Sequence, residues 1–107
     1  TFPGLAAYIA SKAALVAQAR TLAVEFAPLG VRINVVSPGP TATAIWGHLG
    51  LADEQLEQVA EGVSQRLLPG HFLESAAVAD VILHQLSQGA RGVYGQDWVV
   101  DNGYTLH

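Results

Sequence analysis

The sequence predicts an α/β chain in which two parallel strands are flanked by helices. Three observations predict it. The 107 residues read in the order helix, strand, helices, strand. A long helical connection separates the two strand-like runs, which suits a parallel pair joined by a right-handed crossover. The first helix is apolar on more than one face, as expected of an element covered on several sides.

Residues 5–27 are rich in Ala and Leu and hold no internal Gly or Pro. They predict a helix ended by Pro28 and Gly30. Its Tyr8, Ile9, Leu15, Val16, Leu22, Val24 and Phe26 call for a sheet on one side and further chain or a partner subunit on another. Residues 31–36, Val-Arg-Ile-Asn-Val-Val, are largely β-branched and bounded by turn residues, which predicts the first strand. Ser37-Pro38-Gly39-Pro40 cannot continue it and predicts a turn. Over residues 41–51, Gly47 and Gly50 break any long helix.

Residues 53–65 predict a second, acidic helix, weakened near its end by Gly62. A loop around Pro69-Gly70 follows. Ser75 is the expected N-cap of a third helix running to about residue 88, with Val78, Val81, Ile82 and Leu86 facing inward. Residues 96–101, containing Trp98-Val99-Val100, predict the second strand, closed by Asn102-Gly103. Parallel sheets are covered on both faces, and two strands alone make a poor sheet. The expectation is one end of a larger sheet.

Composition excludes several classes of function. Half the residues are hydrophobic and 13% are charged, against about 25% in an ordinary soluble domain, so a core forms and disorder does not. A net charge of −4 with five scattered basic residues argues against a nucleic-acid partner. No apolar run approaches the ~20 residues that span a bilayer, so no membrane partner is expected. The absence of Cys removes disulfides and thiolate chemistry. His48, His71, His84 and His107 show no metal-ligand spacing, so no metal is expected. Asp53, Glu54, Glu57 and Glu61 read as a solvated helix face whose early acids suit the helix dipole. There is no Met and no signal-peptide pattern near the start, and the expectation is that an upstream part of the chain is missing.

Tyr8 and Lys12 are spaced i and i+4, which puts both side chains on one face of the first helix. A phenol titrates near ~10 and is a poor acid or base at neutral pH. A fixed ammonium beside it favours the phenolate, which suits Tyr8 to proton donation and acceptance.

Four blocks extend this pair. Tyr8-Ile9-Ala10-Ser11-Lys12-Ala13-Ala14-Leu15 is followed by Thr21-Leu22-Ala23-Val24-Glu25-Phe26-Ala27-Pro28-Leu29-Gly30. Then come Val31-Arg32-Ile33-Asn34-Val35-Val36-Ser37-Pro38-Gly39-Pro40 and Gly95-Gln96-Asp97-Trp98-Val99-Val100-Asp101. In this order, over nearly the whole chain, they resemble the C-terminal half of the short-chain dehydrogenase/reductase family. The resemblance implies the C-terminal part of a Rossmann-type doubly wound parallel sheet, one portion of a single dinucleotide-binding domain. Within it, residues 5–27 would carry the catalytic Tyr-x-x-x-Lys helix and residues 37–43 the cofactor loop. A substrate lid would follow over about 44–68, then a closing helix and strand over 75–101.

The resemblance implies hydride transfer between NAD or NADP and a small carbonyl or alcohol substrate, with Tyr8 as acid/base. Lys12 would hold the nicotinamide ribose and depress the Tyr8 pKa. Pro38, Gly39, Thr41 and Thr43 would meet the cofactor, with the backbone near Thr41 at the carboxamide and Thr43 beside the phosphates. Ile45, Trp46 and Leu49 would line the substrate pocket. A cytoplasmic homodimer or homotetramer is implied, with the first helix in the subunit interface. The family's Gly-rich phosphate turn and catalytic Ser have no counterpart in this sequence; Ser11 lies within the helix motif. The alternative is a non-enzymatic fragment or protein-binding module. Departures from the family pattern fall at Pro69-Gly70-His71, Glu74-Ser75-Ala76-Ala77 and Asp101-Asn102-Gly103.

Overall fold

A computed structural model describes residues 4–106. The chain divides into two compact units. One takes the chain up to Val36 together with His84–Trp98; the other takes Ser37–Leu83 and the stretch from Val99 onward.

In the first unit, helix α1 spans Ala6–Phe26 and passes into a 3-10 turn, Ala27–Leu29, that carries Pro28. Gly30 ends it at φ 73°, donating its N–H to the Ala27 carbonyl at 2.9 Å; glycine reaches this left-handed region at no steric cost. The covered stripe of α1 is narrow and small: Val16 and Leu22 are half-buried, and Ala19 and Ala23 are buried. Small side chains there admit a close neighbour, because a Cβ on Gly95 would lie 3.5 Å from the Ala23 Cβ. Tyr8, Ile9, Leu15, Val24 and Phe26 are exposed, so this chain covers α1 along one side rather than on most sides.

The first strand differs from expectation. Strand β1 spans Val35–Pro38, beginning later than residue 31 and running on to the proline. Residues 31–34 precede the strand: the Gly95 N–H still donates to the Ile33 carbonyl at 2.9 Å, and side chains supply further ties. Asn34 donates through Nδ2 to the Val93 carbonyl at 3.0 Å and accepts the Gln96 N–H through Oδ1 at 3.0 Å. Arg32 donates to the carbonyls of Ala90 at 3.0 Å and Ser87 at 3.3 Å. β-propensity takes no account of such side-chain bonds to distant carbonyls.

Strand β2, Asp97–Val100, pairs with β1 in a two-stranded sheet. The Val35 N–H donates to Gln96 at 2.8 Å and the Gly39 N–H to Val100 at 2.9 Å. Both partners advance together along the chain, so the pairing is parallel.

In the second unit, a 3-10 turn at Ala44–His48 precedes helix α2, Asp53–Ser64. The Gln55 Oε1 accepts the Ala52 N–H at 3.1 Å, and Asp53 and Glu54 occupy the first turn. Both features satisfy the donors and dipole of a helix N-terminus. Leu56, Ala60 and Val63 form the half-buried stripe of α2. Buried Leu67 and Leu73 follow in the connection to α3.

Helix α3 spans Ser75–Leu86, with Ser75 as its first helical residue. The Glu74 carbonyl accepts the Ala77 N–H at 3.0 Å, which puts the cap one residue before Ser75. The inward face is also rotated from expectation. Ala77, Val78 and Val81 are half-buried and Gln85 is buried, whereas Ile82 and Leu86 are exposed. Apolar residues surround α3, so their spacing alone does not select the face that packs. A 3-10 turn, Gln88–Ala90, follows; its cap, the Ser87 Oγ, accepts the Gly89 N–H at 3.1 Å. Among the described residues no helix is long and apolar enough to cross a membrane.

Candidate functional site

The first unit holds the tyrosine and lysine pair. One helical turn separates them on α1, and the Lys12 Nζ lies 5.5 Å from the centroid of the Tyr8 ring, within cation–π range. Tyr8 is 56% exposed. The Ser11 hydroxyl donates to the Tyr8 carbonyl at 2.7 Å, a back-bond within the helix that engages that serine locally.

A cavity in this unit lies away from that pair. An open cleft of about 480 Å³ is lined by Arg20, Ala23, Val24, Ala27, Tyr94 and Gly95. Arg20 follows Tyr8 by three turns, roughly 18 Å along the axis, so the cleft is separate from the Tyr8 and Lys12 pair.

The second unit holds the loop after β1, pinned from two sides. Thr41 forms an isolated parallel bridge with Leu73. The Leu73 N–H donates to the Pro40 carbonyl and the Ala42 N–H to the Leu73 carbonyl, each at 2.9 Å. In such a bridge the peptide groups flanking Thr41 make the bonds, and Thr41's own N–H and C=O point the other way. The carbonyl meets the Trp46 indole N–H at 2.7 Å, while the Thr41 hydroxyl donates to the Gly39 carbonyl at 2.8 Å.

Gly39 has a structural duty. A Cβ there would come 2.5 Å from the Asp101 Cβ and 2.7 Å from its Cα, closer than carbon atoms approach. Pro38 is exposed and Pro40 half-buried. Thr43 is exposed and makes no side-chain cap to the turn that follows.

The three expected lid residues separate in environment. Ile45 and Leu49 are exposed. Trp46 is half-buried and packs edge-on against Phe72, with ring centroids 5.1 Å apart and planes at 87°.

Sequence reasoning missed Phe72, Leu73 and Asp101 as parts of this arrangement, because each reaches the loop from a distant place in the chain. Asp101 organises the turn after β2. Its carboxylate accepts the Gly103 N–H at 2.9 Å, the Thr105 N–H at 2.9 Å and the Thr105 hydroxyl at 2.7 Å. Desolvation raises its pKa, but these bonds together outweigh that and hold the carboxyl below its ordinary value. Asn102 adopts a positive φ of 49°. Asparagine tolerates that region, and its Nδ2 donates to the His71 carbonyl at 3.1 Å. Among the described residues no three His, Cys, Asp or Glu gather as a metal site; His107 lies outside them.

Comparison with known proteins supplies the family. A family model described as "Enoyl-(Acyl carrier protein) reductase" matches residues 1–105. The chain is 41% identical over 107 residues to a 2,3-dihydro-2,3-dihydroxybenzoate dehydrogenase of Escherichia coli, covering 96% of this chain and 43% of that protein. It is 35% identical over 100 residues to an NAD-dependent glycerol dehydrogenase of Listeria innocua, covering 94% and 37%. Among solved structures, a 4-hydroxyisoleucine dehydrogenase complexed with NADH and succinate superposes with a TM-score of 0.78 at 26% identity, over 95% of this chain and 39% of that one. A short-chain dehydrogenase family protein of Francisella tularensis reaches 0.82 at 21% identity, over 100% and 46%, which speaks to the fold. The chain thus spans roughly two-fifths of the length of the curated relatives it matches.

Proposed function

The chain belongs to the short-chain dehydrogenase/reductase family, and on that premise we propose that it carries the acid/base half of an NAD(P)-dependent oxidoreductase acting on a carbonyl/alcohol pair. The observation that carries the reading is the Tyr8 and Lys12 pair, one turn apart and exposed on α1.

Each unit by itself offers groups of the chemistry that a nicotinamide nucleotide needs. Lys12 forms no ion pair among the described residues, leaving its ammonium open to ribose hydroxyls. The outward peptide edge of Thr41 offers hydrogen bonding to a carboxamide. Pro38, Gly39 and Thr43 complete the loop proposed to meet the cofactor. The nicotinamide ring, when bound, supplies the hydride chemistry.

The chain's own part is a proton at the Tyr8 phenolic oxygen. In reduction that oxygen donates its proton to the substrate oxygen as the carbonyl carbon becomes an alcohol carbon; in oxidation it takes the hydroxyl proton back. Lys12 orients the ribose and keeps positive charge beside the ring. Ile45 and Leu49, exposed at the start of the lid, are the proposed substrate contacts. The exposed Leu15, Val24 and Phe26 of α1 support a homodimer or homotetramer, and the family supports a cytoplasmic setting.

The test is Tyr8→Phe in the full-length protein, assayed with a panel of ketones and alcohols. Hydride transfer is expected to fall by at least about a hundredfold while the affinity for dinucleotide stays within about twofold. Undiminished turnover in that variant overturns the reading.

A further inference from the structure

We propose that Trp46 is a positioning residue for the cofactor loop, holding the Thr41 peptide edge in place to receive the carboxamide of the nicotinamide. The inference rests on the cofactor reading above and assigns Trp46 to the loop instead of the substrate wall.

Three contacts, all within one compact unit, carry it. The indole N–H closes on the Thr41 carbonyl at 2.7 Å. The indole ring stands edge-on against Phe72. The residue after Phe72 is Leu73, whose N–H and carbonyl bond the peptide groups on either side of Thr41. The loop, the first turn of the lid and the segment before α3 therefore form a closed triangle with Thr41 at one corner.

Trp46 acts on the one peptide edge that the Leu73 bridge leaves facing outward. A carbonyl oxygen has two lone pairs, so the indole leaves a second acceptor direction open. The Thr41 N–H donates to no described residue. An outward donor beside a half-free acceptor matches a primary carboxamide, which presents one acceptor oxygen and two N–H donors. Removing the indole N–H leaves the Thr41–Ala42 peptide held only through its Leu73 bond on the opposite edge; its outward edge is then less fixed, and a ligand must order it on binding, which weakens affinity.

The experiment compares two ligands on the full-length protein by calorimetry. One is the reduced dinucleotide that it binds, NADH or NADPH; the other is the matching fragment without nicotinamide, ADP-ribose or its 2′-phosphate. Trp46→Phe keeps an aromatic ring against Phe72 and removes the donor. The dinucleotide Kd is expected to rise about fivefold, the scale of one hydrogen bond, with the fragment unchanged within about twofold. Equal weakening of both ligands marks a merely structural role and overturns the inference, as does no weakening of either. Wild-type protein that binds neither ligand overturns the cofactor reading and the inference with it.

Should Trp46→Phe fail to fold, hydrogen exchange of residues 39–49 in the wild type replaces it. The dinucleotide is expected to slow exchange there more than the fragment does. Equal protection by both ligands overturns the inference.

Discussion

Gly39 lies against Asp101 so closely that a Cβ on it would stand 2.5 Å from the Asp101 Cβ. The contact joins the loop after β1 to the turn after β2, and part of it is backbone, which cannot swing aside. Gly39→Ala is expected to destabilise the protein by about 1–3 kcal/mol, the usual cost of overpacking, measured by urea unfolding. Gly47→Ala serves as the control. Nothing lies within 4 Å of a Cβ at Gly47, so its effect should stay within about 0.5 kcal/mol.

Gly62 sits inside α2 with open space where a side chain would be. Its backbone is helical, so alanine fits without strain and removes conformational freedom from the unfolded chain. Gly62→Ala is expected to stabilise by roughly 0.5–1 kcal/mol, read as a raised urea midpoint at unchanged m. A lowered midpoint would mean that α2 needs the glycine for a reason beyond helix propensity.

Asn34 is bonded through both ends of its amide, to Val93 and to Gln96. Asn34→Leu keeps the approximate shape and removes both bonds, leaving a backbone donor and a backbone acceptor without partners. A loss of about 1–3 kcal/mol is expected. Asn34→Asp keeps the acceptor for the Gln96 N–H but sets a carboxylate oxygen against the Val93 carbonyl, so it should not rescue stability.

Asp101 links stability to acid. Its folded pKa is depressed, so the native state favours the carboxylate. That stabilisation is present above the unfolded value of about 3.9 and is lost as pH falls through the lower folded value. Asp101→Asn should therefore lower Tm relative to wild type at neutral pH. The gap should shrink below pH ~4 and close below the folded pKa. A gap independent of pH would show that the carboxylate's charge contributes nothing there.

Much of the fold was legible in local pattern. The run of Ala and Leu from residue 5, ended by Pro28 and Gly30, marked α1 to within a residue at each end. The block Trp98-Val99-Val100 marked β2, which spans Asp97–Val100. The Tyr8 and Lys12 pair was legible because helical periodicity alone puts i and i+4 side chains on one face, and the four ordered blocks named the family. The start of β1 was not legible: whether Arg32 and Asn34 join a ladder or bond sideways depends on the carbonyls of Ser87, Ala90 and Val93, more than fifty residues later.

By itself, then, the sequence determined the kinds and order of the elements, the family and the two side chains that carry the proposed proton chemistry. All of these follow from short-range geometry or from patterns read along the chain. Only the tertiary structure decided which face of α3 packs, why residue 39 is glycine, and that Trp46 turns to Thr41 and Phe72. Those outcomes depend on which distant backbone groups come within hydrogen-bonding or van der Waals reach, and no local periodicity encodes that.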